Sequence, residues 1–215
     1  MNWLTLQLSD SAFPTGGFVH SQGLEAAHQF GFAFDAAAFL DQAIWQIGFG
    51  ALPFVRAGVV AEMPIFQLDS ETHAFLTNPI QNRASRAQGR GLLRVVREAF
   101  GDRDGISEIL EAAEKTQMHH APIFGSIAGA LGIAVNDASQ IFLHGAARNF
   151  LSAAVRLGMV GPLEAQRILA SRAELLETVL EQCAGLSIDD AAQTSPILDL
   201  ASALHDRLYT RLFQS

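Results

Sequence analysis

Glu25 and His28 stand three residues apart, a spacing that puts two side chains on one face of a helix. Carboxylate and imidazole in that register are the ligands of di-iron helical bundles. Such a site needs a second Glu-x-x-His and two further glutamates from other helices. No second Glu-x-x-His occurs in the chain. A helical metal enzyme built on Glu25 and His28 is therefore the alternative reading, and an ordinary polar helix face is the simpler one. His119-His120 also suggests metal ligation. Neighbouring helical side chains diverge by about 100°, so this pair does not chelate one ion easily, and it sits in an expected loop before Pro122. Thr15-Gly16-Gly17-Phe18 lacks the Lys-Ser/Thr of a phosphate loop and reads as a tight turn. Cys183 has no companion cysteine, so an internal disulfide and a Cys-rich zinc site are excluded. No nucleophilic serine lies in a motif that would mark a Ser-His-Asp triad. The residues expected for catalysis, for a metal and for a cofactor are accordingly none.

The elements that would carry these residues are helical. The chain has 34 Ala and 26 Leu against 31 Val, Ile and Thr together. Ala and Leu lose little entropy in a helix, whereas β-branched residues favour strands. No period-two stretch bounded by hairpin turns is found, and no repeat or low-complexity linker. At 215 residues the expectation is one compact all-α domain over 1–215. Start and stop signals place a helix at Trp3 to Ser9, a glycine turn at Pro14 to Gly17, and a helix from Ser21 to Phe30. Asp35 caps a long helix broken near Pro53. A polar segment from Leu68 to Asn78 leads to a helix starting at Pro79. Arg83, Arg86, Arg90, Arg94 and Arg97 give that helix a basic face. A short helix to Lys115, an apolar helix from Pro122, a helix capped by Asn136 or Asp137, and one from Pro162 to Gly185 follow. Ser195-Pro196 starts a last helix expected to run nearly to Ser215. Its apolar stripe is Ile197, Leu200, Leu204, Leu208 and Leu212.

Charge and hydropathy exclude further classes. The net charge of −8 argues against nucleic acid as a partner. Mean hydropathy is +0.21, high for a soluble chain. The longest clean apolar run, Ala121 to Val135, has fifteen residues, short of the roughly 20 that a membrane span needs. It contains Gly125 and Gly129, a small-residue ridge suited to close helix packing inside the monomer or across a dimer. Met1 to Asp10 lacks the basic and apolar regions of a signal peptide, so a cytoplasmic protein without membrane contact is expected. High apolarity without a span points to a large core and to surfaces that meet partners.

Leu6 to Glu25 reads LQLSDSAFPTGGFVHSQGLE. This resembles the opening signature of the UreF family of urease accessory proteins, close to L-Q-L-x-D-x-x-x-P-x-G-G-F-x-[YH]-S-x-G-L-E. Asn82 to Arg90 resembles the family's R-x-S-x-x-x-G-R helix. Phe124-Gly125 with the small residues to Gly132, then Ala153 to Gly158 with Arg156, resembles its middle. Pro196 to Ser215, with His205, Leu208-Tyr209 and Arg211-Leu212-Phe213, looks like its carboxyl-terminal tail. The resemblance implies an all-helical homodimer that is not an enzyme. It implies binding to the accessory protein UreD (also called UreH) and to the GTPase UreG, in the service of nickel delivery to apo-urease. It also implies a partner-docking role for residues 196–215. Partner-binding residues expected on this basis are Phe18, His20, Ser21, Gln22 and Glu25, lining the partner-facing surface or the dimer's polar interior, and Arg156, with His205, Tyr209 and Arg211 fixing the tail in its docked state. Gly16, Gly17 and Gly23 would be structural.

Overall fold

Asp35 turns the chain into its first long helix. Its carboxylate accepts the Ala38 amide at 2.7 Å and so satisfies one of the donors that a helix start leaves free. The computed structural model describes residues 3–14, 16–32 and 35–215. Among them lie twelve α-helices and no strand. The helices that matter here are α1 (Trp3–Ser9), α2 (Leu24–Gln29), α3 (Ala36–Gly50), α4 (Leu52–Val59), α5 (Ile65–Phe75) and α6 (Pro79–Phe100). They are followed by α7 (Ile106–Ala113), α8 (His120–Ala130), α9 (Val135–Arg156), α10 (Pro162–Ser171), α11 (Ala173–Gln182) and α12 (Pro196–Ala203). Proline stands in the first turn of α4, α6, α10 and α12, where its missing N–H costs nothing. Asn78 caps α6 through the amides of Ile80 and Gln81.

Two apolar clusters hold the helices together. In the first, Phe54 and Val55 of α4 meet Leu92 and Val96 of α6 and Ile123, Phe124 and Ile127 of α8. In the second, Phe39 and Ile44 of α3 meet Leu143, Phe150 and Leu151 of α9 and Val179 of α11. Phe39 and Phe150 stack with centroids 5.7 Å apart and are almost wholly buried. The small-residue ridge serves the first cluster, inside the monomer. A Cβ on Gly125 would meet the Val55 carbonyl oxygen, and one on Gly129 the Val59 carbonyl oxygen. From the other side, a Cβ on Gly58 would lie 2.9 Å from the Pro122 oxygen. So α4 and α8 pack backbone against backbone. The apolar run from Ala121 is core rather than span, and no helix among the described residues is long and apolar enough to cross a membrane.

Five expectations from the sequence need correction. The helix expected to be capped by Asn136 or Asp137 holds both in its first turn, since α9 begins at Val135 after Ala134. The segment placed as polar chain from Leu68 belongs to α5, because Leu68, Asp69 and Thr72 recur one turn apart and face inward. The helix expected from Pro162 to Gly185 breaks at Arg172, whose guanidinium is drawn to Asp41 of α3 at 2.8 Å. The helix expected from Ser21 begins at Leu24, since Gln22 (φ 54°) and Gly23 (φ 86°) are both left-handed. Gly23 is required there twice over, for a Cβ would also stand 2.9 Å from the Ser202 amide. Most consequentially, α12 ends at Ala203. A 3-10 turn at His205–Arg207 follows, and Leu208 is extended (φ −67°, ψ 133°). The spacing of Leu204, Leu208 and Leu212 fits a helix, but the amides beyond Leu208 find other acceptors.

Candidate functional site: a clasp for the chain end

Those acceptors are supplied by the glycine turn and α2, nearly two hundred residues earlier. The Glu25 carboxylate accepts the Leu212 amide at 2.6 Å through Oε1 and the Phe213 amide at 3.2 Å through Oε2. Ser21 donates twice to the Ser215 main-chain oxygen, from its amide at 2.6 Å and its hydroxyl at 3.0 Å. The Gln214 amide donates to the Val19 oxygen at 2.8 Å, and Gln29 donates to the Thr210 oxygen at 3.2 Å. Nδ1 of His20 lies 2.6 Å from the Ser215 hydroxyl. Side chains close the arrangement. Phe213 is buried, and the Arg156 guanidinium lies 4.2 Å from its ring centroid while donating to the Phe18 oxygen at 2.7 Å. A cation over an aromatic face contributes on the order of 0.5–1 kcal/mol at such a site. The tail is thus threaded as an extended strap between α2 and the end of α9.

The predicted residues divide by exposure. His20, Ser21, Glu25 and His205 are buried, at most 4% exposed, and face the strap. Gln22 is half-buried, with its amide 3.5 Å from the Ala146 oxygen. Phe18 and Arg211 are exposed, and the Tyr209 side chain stands wholly in solvent. Tyr209 therefore does not hold the tail down. Arg211 meets Asp206 at 3.5 Å, and Asp206 also takes Arg83 of α6 in a two-pronged pair at 2.8 and 3.0 Å. These two cations hold the Asp206 carboxyl below the usual range, the Arg83 hydrogen bond being the larger influence. His205 has neither ring nitrogen hydrogen-bonded, and its Nδ1 is 3.9 Å from Glu25 Oε2. Burial pushes its pKa down, against the pull of Glu25.

Sequence reasoning missed Phe213 and Ser215 of the strap and Gln29 of α2, which holds it. Most of their contacts run through the main chain, which leaves no residue-type signal. It also missed Asp69, whose buried carboxylate accepts the Gln117 and His119 amides at 2.7 Å each and shapes the turn before α8. Burial raises the Asp69 pKa despite those two bonds. The His119-His120 pair separates as its spacing implied. His119 precedes α8 without capping it and bonds Ser85 and His73, both at 3.1 Å, while His120 lies not in the expected loop but in the first turn of α8, packed on Phe142. Glu25 and His28 do not converge either. Glu25 is committed to the strap, and His28 is exposed in a separate cleft beside Asp35. Among the described residues no group of three or more His, Cys, Asp or Glu is arranged to hold a metal.

Behind the clasp lies a cavity of about 250 Å³. Its walls include His20, Gln22, Gln88, His120 and Asn149. Burial holds His20, His119 and His120 down to a pKa of about 4. Each ring is neutral in the folded protein, while in the unfolded chain it protonates near 6.5. Between those values the unfolded state binds more protons, so stability rises with pH. It is complete above about pH 6.5 and is lost as the pH falls toward 4. We expect the melting temperature to fall between pH 7 and pH 5, because each histidine removes roughly 1 kcal/mol of stability per pH unit at mid-window. Thermal melts across that range check it, and a flat profile would contradict the buried neutral imidazoles.

A family model described as UreF matches residues 33–173, which takes in α3 to α10 and leaves both halves of the clasp outside. Full-length relatives extend the likeness through the clasp. "Urease accessory protein F" of Arabidopsis thaliana is 36% identical over 223 residues, covering all of this chain and 93% of the relative. Its namesake in Oryza sativa subsp. japonica is 34% identical, over 98% of this chain and 84% of the relative. "Urease accessory protein UreF" of Bradyrhizobium diazoefficiens is 29% identical, over 100% of this chain and 90% of the relative. All three relatives are urease accessory proteins by name. The chain belongs to the UreF family.

Proposed function

We propose that this chain is a non-enzymatic scaffold for urease maturation. In this reading it works in the cytoplasm as a homodimer, binds the accessory protein UreD/UreH and recruits and regulates the GTPase UreG. The assembly serves nickel insertion into apo-urease. The observation that carries the reading is the strap. Its inner face is locked by Glu25, Ser21 and Arg156, its outer face leaves Tyr209 and Leu212 bare, and Phe18 of the first motif is also exposed. Exposed aromatics on a rigid frame, beside arginine, are the parts from which the energetic centre of an interface is built. Residues 196–215 are then the docking segment, and the buried residues of the first motif are its support rather than its contact surface. Family membership supports this choice of partners.

The test is co-expression with UreD and UreG, followed by light scattering of what co-purifies. A complex containing all three is expected. Tyr209→Ala should leave this chain folded and lower recovery of a partner by about tenfold or more, the loss typical of a truncated anchor. Recovery of the complete complex at undiminished yield from Tyr209→Ala and from Arg211→Ala would remove the tail from the interface. A chain that purifies folded but alone, with both partners folded, would overturn the scaffold reading itself.

A further inference from the structure

Helix α6 carries five arginines, at 83, 86, 90, 94 and 97. At 100° per residue they fall within an arc of about 80° and run about 21 Å along the helix. Arg211 joins this edge through the Asp206 carboxylate that it shares with Arg83. Six of the chain's 14 Lys+Arg thus stand together in a protein of net charge −8.

Little on the molecule neutralises them. Asp206 serves two arginines at once, and Glu114 pairs with Arg97 at 2.8 Å. Among the described residues, Arg86 hydrogen-bonds the Gln117 side-chain oxygen, at 3.3 Å, and forms no ion pair. Asp69, which acts on Arg86 from within, is already held by two amides. Arg90 and Arg94 are exposed, one turn apart, and form no ion pair among the described residues. Glu98, the sole acid of α6, lies off the arc on the helix flank. Holding like charges one turn apart costs stability, as does repulsion along a helix face. A face of this kind is relieved when opposite charge is brought to it.

We infer that the arginine edge of α6, centred on Arg90 and Arg94, is a docking surface for an acidic face of a protein partner. The size of the edge selects protein over polyanion. A duplex or a membrane reaches well past 21 Å onto surface that is negative overall, whereas an acidic helix or loop matches the edge and stops. Because the edge joins the strap at Asp206, one partner can read both. The inference deepens the scaffold reading and rests on it.

The probes are the two proposed partners, UreD and UreG, each titrated against the full-length chain at 50 and 300 mM salt. Arg90→Glu with Arg94→Glu should weaken one of them by at least tenfold at low salt, chiefly through slower association, and should flatten the salt dependence. Arg90→Gln with Arg94→Gln should fall between, and carries the test if the double glutamate variant melts early. Equal affinity and equal salt dependence for the unaltered and altered chains would overturn this inference and leave the scaffold reading standing. No binding of either partner to the unaltered chain would overturn both. Retention of the unaltered chain by duplex DNA or by phosphatidylserine vesicles, abolished in the double variant, would assign the edge to a polyanion and overturn the protein-partner inference.

Discussion

Glu25→Ala frees the end of the chain while leaving the helical body folded. The substitution removes the one group that accepts both the Leu212 and Phe213 amides, in a site where Glu25 is 1% exposed. Hydrogen bonds to a charged acceptor contribute about 1.5–3 kcal/mol each, and a buried amide left without one costs a similar amount. The strap's remaining ties, at Ser21, Gln29 and Arg156, do not replace that loss. Trypsin should therefore cut after Arg207 and Arg211 at least tenfold faster than in the unaltered protein, since cleavage follows the open population. Glu25→Gln retains one carbonyl oxygen but turns an amide nitrogen toward a backbone N–H, so its cleavage rate should lie between the two. In the scaffold reading the same variants lose partner recruitment in the same order. An unchanged cleavage pattern in Glu25→Ala would mean that the carboxylate does not hold the strap.

The second large effect belongs to the core. Gly125→Ala puts a methyl group onto the Val55 carbonyl oxygen, and both atoms belong to packed helical backbones. No rotamer relieves the contact, so α4 and α8 must separate along a seam that includes Val55, Ile123 and Ile127, each at most 1% exposed. Overpacking of this kind costs about 3 kcal/mol or more. In a domain of this size that is a fall in melting temperature on the order of 10 °C. Gly145→Ala on α9 is the matched control, because nothing stands within 4 Å of its added Cβ. It should be neutral or stabilise by about 0.5–1 kcal/mol. Denaturant melts of the two variants decide the matter, and equal midpoints would contradict the close α4–α8 seam.

Much of this fold was legible where local chemistry determines it. Asp35 and the Asn78-Pro79 pair announce helix starts, and the structure uses both as caps. The apolar run from Ala121 was readable as core because its length and glycines suit packing better than a span. Reading failed where tertiary partners override local pattern. The helix α5 was hidden because Asp69 and Thr72, polar by type, are buried on bonds to the Gln117 and His119 amides and to the Leu68 oxygen. The end of α12 was hidden because no glycine or proline marks it, and Leu208 and Leu212 continue the helical spacing. Nine residues past its end the Leu212 amide finds a charged acceptor in Glu25, 187 positions earlier, so the chain there is held outside a helix. Both halves of the clasp carried family motifs, but motifs do not report that two ends of a chain meet. Nor could composition separate the buried members of the first motif from the exposed ones: Phe18, His20 and Glu25 were expected alike to meet a partner, yet Glu25 and His20 lie inside and Phe18 outside.

The account stands on a tail that is docked by the protein's own first motif before any partner arrives. Amide hydrogen exchange on the isolated, unaltered chain tests this most directly. The Leu212 and Phe213 amides should be protected by at least a hundredfold relative to unstructured peptide, together with the Gln214 amide bonded to Val19, and Glu25→Ala should abolish the protection at all three. Exchange of these amides at the unstructured rate in the unaltered chain would contradict the clasp, and with it the support proposed for the docking surface.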